Sequence, residues 1–150
     1  MPQLDFYHLT EAELPDALGM LVEKSRLAGK KALIQCPRPA AEMIDDALWT
    51  HEPESWLPHG LDEGDGASHA VAWIVSEGTA NPIKAEFLFL LHGAEREDMT
   101  SFERVFNLFD GRSDAQVEQA RAQWQAWRNM AGVEMRYFAQ GDDGKWLQRA

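Results

Sequence analysis

The chain alternates short apolar runs with stretches of helical hydrophobic spacing, which restricts it to folds in which parallel strands are joined by helical crossovers. Residues 4–9, with Phe6 and Tyr7 among them, have the length and aromatic content of a first strand. Thr10 with Glu13 then fits a capping box. Leu14, Leu18, Leu21, Ser25 and Ala28 follow at helical spacing, and Gly29 suits the left-handed C-terminal position. Residues 31–36 form a near-continuous apolar run ending in Cys36, as expected of a strand covered on both faces. Pro37 and Pro39 end it, and residues 40–49 predict a second helix with Met43, Ile44, Ala47 and Leu48 inward. This β-α-β-α order predicts an α/β fold with a mostly parallel sheet and right-handed crossovers.

Residues 50–69 are read as an irregular loop, with Pro53, Pro58, Gly60, Gly64 and Gly66 among acidic residues and histidines. A loop of that length in a compact domain is often functional. Residues 70–75 and 85–91 supply further strands. Thr100 with Glu103 predicts a short helix to Leu108, and Ser113 with Gln116 a longer one ending at Ala131 and Gly132. Residues 133–138 and 145–148 predict closing strands around a turn, giving a C-terminal antiparallel strand or hairpin. At 150 residues, one domain spanning 1–150 is expected. No stretch approaches the ~18 apolar residues of a membrane span. The start lacks a basic and an apolar signal region, so a cytoplasmic protein is expected.

Charge narrows the partners. The formal net charge is −11, and it is unevenly placed: residues 1–98 hold seven Lys and Arg against eighteen Asp and Glu, while residues 99–150 hold seven against seven. An acidic body repels phosphate backbones, so direct duplex DNA binding is disfavoured. Any basic patch belongs to the last third.

Parallel α/β sheets bind phosphates at glycine-rich strand-to-helix turns. Here the first such turn, residues 9–13, has no glycine and carries Glu11 and Glu13. Gly64-Asp65-Gly66 has neither a third glycine nor a following helix, and no phosphate-loop motif occurs. His8, His51, His59, His69 and His92 are scattered without metal-ligand spacing, although three of them share the 51–69 loop. Cys36, the only cysteine, reads as a buried strand-end thiol. No catalytic residue, metal ligand or cofactor is nominated. Two rivals remain to be weighed: a nucleotide-dependent enzyme on this sheet, and a metal-dependent nuclease or hydrolase using the loop.

Two aromatic features stand out. Trp49 and Trp56 flank Pro53 and Pro58 after the second helix, and suit either core filling at a sheet edge or an exposed interface anchor. In the helix from Ser113, Val117, Ala120, Trp124, Trp127 and Ala131 share one stripe, most simply the face packed on the sheet. Arg121 and Arg128 flank it. With Arg112 and Arg136 they frame either a solvated basic face or an apolar hollow with a cationic rim, which would suit an acidic peptide ending in a hydrophobic residue and a free carboxylate.

Asp5-Phe6-Tyr7-His8-Leu9, Gly29-Lys30-Lys31-Ala32-Leu33-Ile34, Ile44-Asp45-Asp46-Ala47-Leu48-Trp49 and Glu54-Ser55-Trp56-Leu57-Pro58-His59 resemble the N-terminal half of the chi-subunit family of bacterial DNA polymerase III. Phe102-Glu103-Arg104-Val105-Phe106-Asn107-Leu108-Phe109 and residues 121–132 resemble its C-terminal half. The resemblance implies a Rossmann-like three-layer sandwich, a sheet flanked by helices, that has lost nucleotide chemistry. It implies a non-catalytic accessory protein in an assembly with DNA-directed DNA polymerase (nucleotidyltransferase) activity. It also implies two partner sites. One takes the psi subunit, leading to the clamp loader, or another replication or repair protein, at Trp49, Pro53 and Trp56. The other takes the acidic, phenylalanine-terminated C-terminal tail of single-stranded DNA-binding protein at Arg121, Trp124, Gln125, Arg128 and Phe109. Val117 and Gln125 stand where members of that family can carry lysine, a difference that weakens the cationic rim.

Overall fold

A computed structural model describes residues 3–37, 40, 43–44, 59–61, 72–76, 81, 83–130, 132–141 and 146–149. In chain order the described elements are β1 (Gln3–Leu9), α1 (Leu14–Leu27), β2 (Ala32–Gln35), β3 (His59–Leu61), β4 (Ala72–Val75), β5 (Phe87–Leu91), β6 (Arg104–Asp110), α2 (Asp114–Trp127), β7 (Glu134–Gln140) and β8 (Trp146–Gln148). The strands form one mixed sheet in the order β3-β4-β2-β5-β6-β1-β7-β8. Every pairing is parallel except β7 with β8. The architecture is therefore α/β on a mostly parallel sheet, closed by the antiparallel C-terminal strand that the sequence predicts.

The apolar runs are apolar because both faces are covered. Every residue of β2, β4 and β5 is buried. On β1, Tyr7 and Leu9 join the core under α1, while Leu4 and Phe6 point the other way, into the core that contains Ala120 and Trp127 of α2. α1 and α2 thus pack on opposite faces. α1 buries Leu14, Leu18, Leu21 and Ser25 as its spacing predicts, and Gly29 takes the left-handed conformation at φ +77°. Ala28, expected inward, is the exposed C-cap. Cys36 is buried at the end of β2.

The buried polar groups fix how the elements sit. Asp5 is fully buried between β6 and β7, where its carboxylate accepts from Arg104 and Arg136. Asn107 of β6 donates to Gln123 of α2 at 2.8 Å, and both side chains are buried. Gln123 in turn reaches the carbonyl of Gly93 after β5 at 3.3 Å. An unmade bond here would leave a buried amide without a partner, so α2 has one favoured rotation and height on the sheet.

Four expectations are corrected. The helix predicted from Thr100 to Leu108 is instead a three-residue 3-10 turn, Met99–Ser101, followed by strand β6. Its capping signal loses to the pairing of β6 with both β5 and β1, which buries Val105, Phe106, Leu108 and Phe109 in a central strand. The Thr10 capping box does not form. Glu13 is the N-cap without a side-chain bond, and the backbone N–H groups of Thr10, Glu11 and Ala12 all donate to the side-chain oxygen of Gln140. Residues 59–61, read as loop, form β3, because an edge strand needs only a few extended residues paired on one side. Lastly, α2 ends at Trp127 with Arg128 as C-cap, short of the predicted Ala131, which lies outside the described residues. Of the helix predicted at 40–49, Ala40, Met43 and Ile44 are helical and the rest lies outside the described residues.

Candidate functional site

α2 begins as its sequence dictates: the Ser113 hydroxyl accepts from the Gln116 backbone N–H. Only half of the box forms, since the Gln116 side chain accepts instead from the Asp110 backbone at 2.9 Å. The helix then lies across the Phe6 face of the sheet. Ala120 and Trp127 sink into the core, while Val117 and Trp124 stay half-buried against it. Because α2 covers β1 and β7 incompletely, a hollow of about 300 Å³ opens beside it. His8 and Tyr137 line it from the sheet, and Val117, Trp124, Arg121 and Gln125 from the helix.

Aromatic contacts shape the hollow. The Trp124 ring meets Phe6 edge to face at 5.3 Å and Tyr137 at 5.8 Å, each such pair adding about 0.5–1.5 kcal/mol beyond area burial. The Trp124 ring is thereby fixed as a wall. His8 packs on Phe109 at 5.0 Å, and its Nδ1 lies 2.6 Å from the Tyr137 hydroxyl. Burial, and then the nearby Arg121 guanidinium, hold the His8 imidazole below its ordinary pKa against the opposing pull of Asp110. Burial pushes the Tyr137 phenol up, and Arg121 partly offsets it. Arg121 itself is exposed and has no carboxylate partner among the described residues.

Arg121, Trp124 and Gln125, picked out in the sequence, therefore meet around one hollow. Phe109 lies beneath it as a buried core residue rather than in its wall. Arg128 is exposed at the C-cap, outside the lining. The two outer arginines of the expected rim go elsewhere. Arg136 turns to the opposite face of the sheet and binds Asp5 and Gln3, and Arg112 pairs with Asp110 and Glu13. Trp49, Pro53 and Trp56 lie outside the described residues. His8 and Tyr137 were missed. The available signal was parity: His8 falls two residues after Phe6, on the same strand face, where a polar side chain is out of pattern.

The places a nucleotide would use are differently furnished. The N–H groups of the first strand-to-helix turn are spent on Gln140. A larger hollow of about 440 Å³ at the carboxyl ends of the strands is bordered by Glu13, Asp16 and Asp110, which repel phosphate. Among the described residues no three His, Cys, Asp or Glu side chains gather as a metal site. His51 and His69 of the candidate loop lie outside those residues.

The family model for DNA polymerase III chi subunit, HolC, matches residues 1–136. The chain belongs to the DNA polymerase III chi subunit family. It is similar to DNA polymerase III subunit chi of Escherichia coli (strain K12), 30% identical over 112 residues that span 72% of this chain and 73% of that protein. It is also similar to DNA polymerase III subunit chi of Haemophilus influenzae (strain ATCC 51907 / DSM 11121 / KW20 / Rd), 28% identical over 134 residues, 82% of this chain and 88% of that protein. Membership in the chi family places the chain among DNA replication proteins, and the matched span takes in β1, α1 and all of α2. Among the described residues, no helix is long and apolar enough to cross a membrane.

Proposed function

We propose that this chain is a non-catalytic adaptor of DNA polymerase III that binds the acidic C-terminal tail of single-stranded DNA-binding protein in the Arg121–Trp124 hollow. A second surface, for which the sequence nominates Trp49, Pro53 and Trp56, joins it to the clamp loader through psi or an equivalent replication partner. The sheet beneath is read as a single Rossmann-like three-layer domain whose nucleotide site has been given up, and the protein as cytoplasmic. One observation carries the tail assignment: the Arg121 guanidinium, without a carboxylate partner among the described residues, borders an aromatic-walled hollow of about 300 Å³. That pairing of features suits a chain end with one apolar side chain and a free carboxylate, since Arg offers a planar fork to carboxylates and the indole wall takes the apolar group.

Titrating a labelled acidic peptide that ends in phenylalanine against wild type and Arg121→Ala tests the assignment. A loss of about tenfold in affinity is expected, the worth of one charge-assisted hydrogen bond at a partly exposed site. Equal affinities reject it. Binding also weakens as salt rises, because part of it is charge pairing in contact with solvent.

A further inference from the structure

The hollow beside α2 holds a titratable pair that the tail-binding reading does not use. His8 and Tyr137 line it, their side chains share one hydrogen bond at 2.6 Å, and Arg121 stands at the same opening. We propose that His8 and Tyr137 are the carboxylate-recognising pair of this pocket, with His8 taking up a proton when an acidic chain end binds. The inference rests on the tail-binding reading and deepens it.

A neutral imidazole has one N–H, and a phenol has one O–H. When the Tyr137 hydroxyl donates to Nδ1 of neutral His8, its only proton is spent, and it turns lone pairs toward the hollow. Lone pairs repel a carboxylate. A second proton on the ring makes Nδ1–H the donor to the Tyr137 oxygen, and the phenolic O–H is then released to donate into the hollow. The ring gains one proton from solvent and one positive charge. The ligand gains a hydroxyl donor and a cation beside Arg121.

The charges around His8 set the direction. From α2, Arg121 opposes protonation, and from the end of β6, Asp110 favours it while itself bonded to Arg112. β7 contributes the phenol of Tyr137, and the Phe109 ring of β6 packs against His8 at a tilt, without charge. In the empty pocket burial, and then Arg121, disfavour the charged form of His8. An arriving carboxylate cancels the field of Arg121 and reverses the balance, so binding and protonation assist each other. Affinity for the acidic chain end must then rise as pH falls across the titration range of His8. The gain is complete below the empty-pocket pKa and absent above the occupied-pocket one.

Calorimetric titration tests this with a synthetic acidic peptide ending in phenylalanine, at pH 5.5 to 8.5 and fixed ionic strength, in buffers of different ionisation enthalpy. Over that range the peptide carboxylates keep their charge. Wild type is expected to bind about five- to tenfold more tightly at pH 5.5 than at pH 8.5, within the limit of about tenfold per pH unit for one linked proton. Buffer-dependent heats should show net proton uptake. His8→Gln should give a pH-flat profile and no uptake, and Tyr137→Phe should keep the uptake with a smaller gain at low pH. Identical pH profiles for wild type and His8→Gln, with Arg121→Ala still weakening the peptide, overturn this inference and leave the pocket assignment standing. A peptide that fails to bind wild type at every pH overturns both.

Discussion

The Arg136 guanidinium clasps the fully buried carboxylate of Asp5 with two bonds, Nε to Oδ1 at 2.9 Å and Nη2 to Oδ2 at 2.8 Å. Arg104 adds a third from the other neighbouring strand, at 2.7 Å. Three adjacent strands are thus held at one register around a single charge. Asp5→Ala is expected to lower the unfolding free energy by about 3 kcal/mol, toward the lower end for a broken buried pair because both arginines are partly exposed and can turn to water. Arg136→Met should cost less, about 1–2 kcal/mol, since Arg104 still neutralises the carboxylate. Urea unfolding of the two variants gives the comparison.

Gln125 borders the candidate pocket, is exposed and carries no charge. Gln125→Lys adds a cation to a rim whose described lining carries Arg121 as its one cation. At low salt it should raise affinity for an acidic peptide about three- to fivefold, the range of a solvent-exposed charge pair of ~1 kcal/mol or less. The gain should shrink toward nothing near 0.5 M salt, roughly where screening lengths fall below ~5 Å. A salt series on both proteins measures it, and stability should hardly move.

The Gln140 side-chain oxygen serves three successive backbone donors, Thr10 at 3.2 Å and Glu11 and Ala12 at 3.0 Å. Gln140→Ala strands all three, though water reaches the exposed end of the turn. A loss of about 1–2 kcal/mol is expected, together with faster amide hydrogen exchange at residues 10–12. Unchanged exchange there would show that the turn holds itself.

Acid should weaken the fold before the carboxylates titrate. Burial lowers the pKa of His92, whose Nε2 is enclosed without a hydrogen-bond partner among the described residues, and burial with Arg121 lowers that of His8. For a depressed pKa the unfolded chain binds more protons, so the stability is full above the ordinary histidine value of about 6.5 and is lost as pH falls through the folded value. Unfolding free energies measured from pH 7.5 to 5 should therefore decline. The decline should be shallower in His92→Gln and in His8→Gln.

The strands of the α1 side were legible because continuous apolar runs have few alternatives to a doubly covered parallel strand, as β2 and β5 show. β6 was not. Its seven residues follow a sound helix-start signal at Thr100 and Glu103, and only the two flanking strands, distant in sequence, make the extended form win. The same distance hid half of the pocket. Arg121, Trp124 and Gln125 are close neighbours on one helix, so a local segment and its family resemblance could group them. His8 and Tyr137 are 129 residues apart and meet only because β1 and β7 pair. Which side Arg136 takes was likewise hidden, since strand parity depends on a register that spacing does not reveal.

The first strand of the chain sits between β6 and β7, both drawn from residues beyond 100. During synthesis, then, this aromatic segment leaves the ribosome with neither neighbour made, and must wait for more than a hundred further residues before both of its flanks are sheltered. Such non-local closure is slow and leaves sticky backbone on display. Chains cut short before residue 134 should collapse into aggregates rather than yield a smaller working unit.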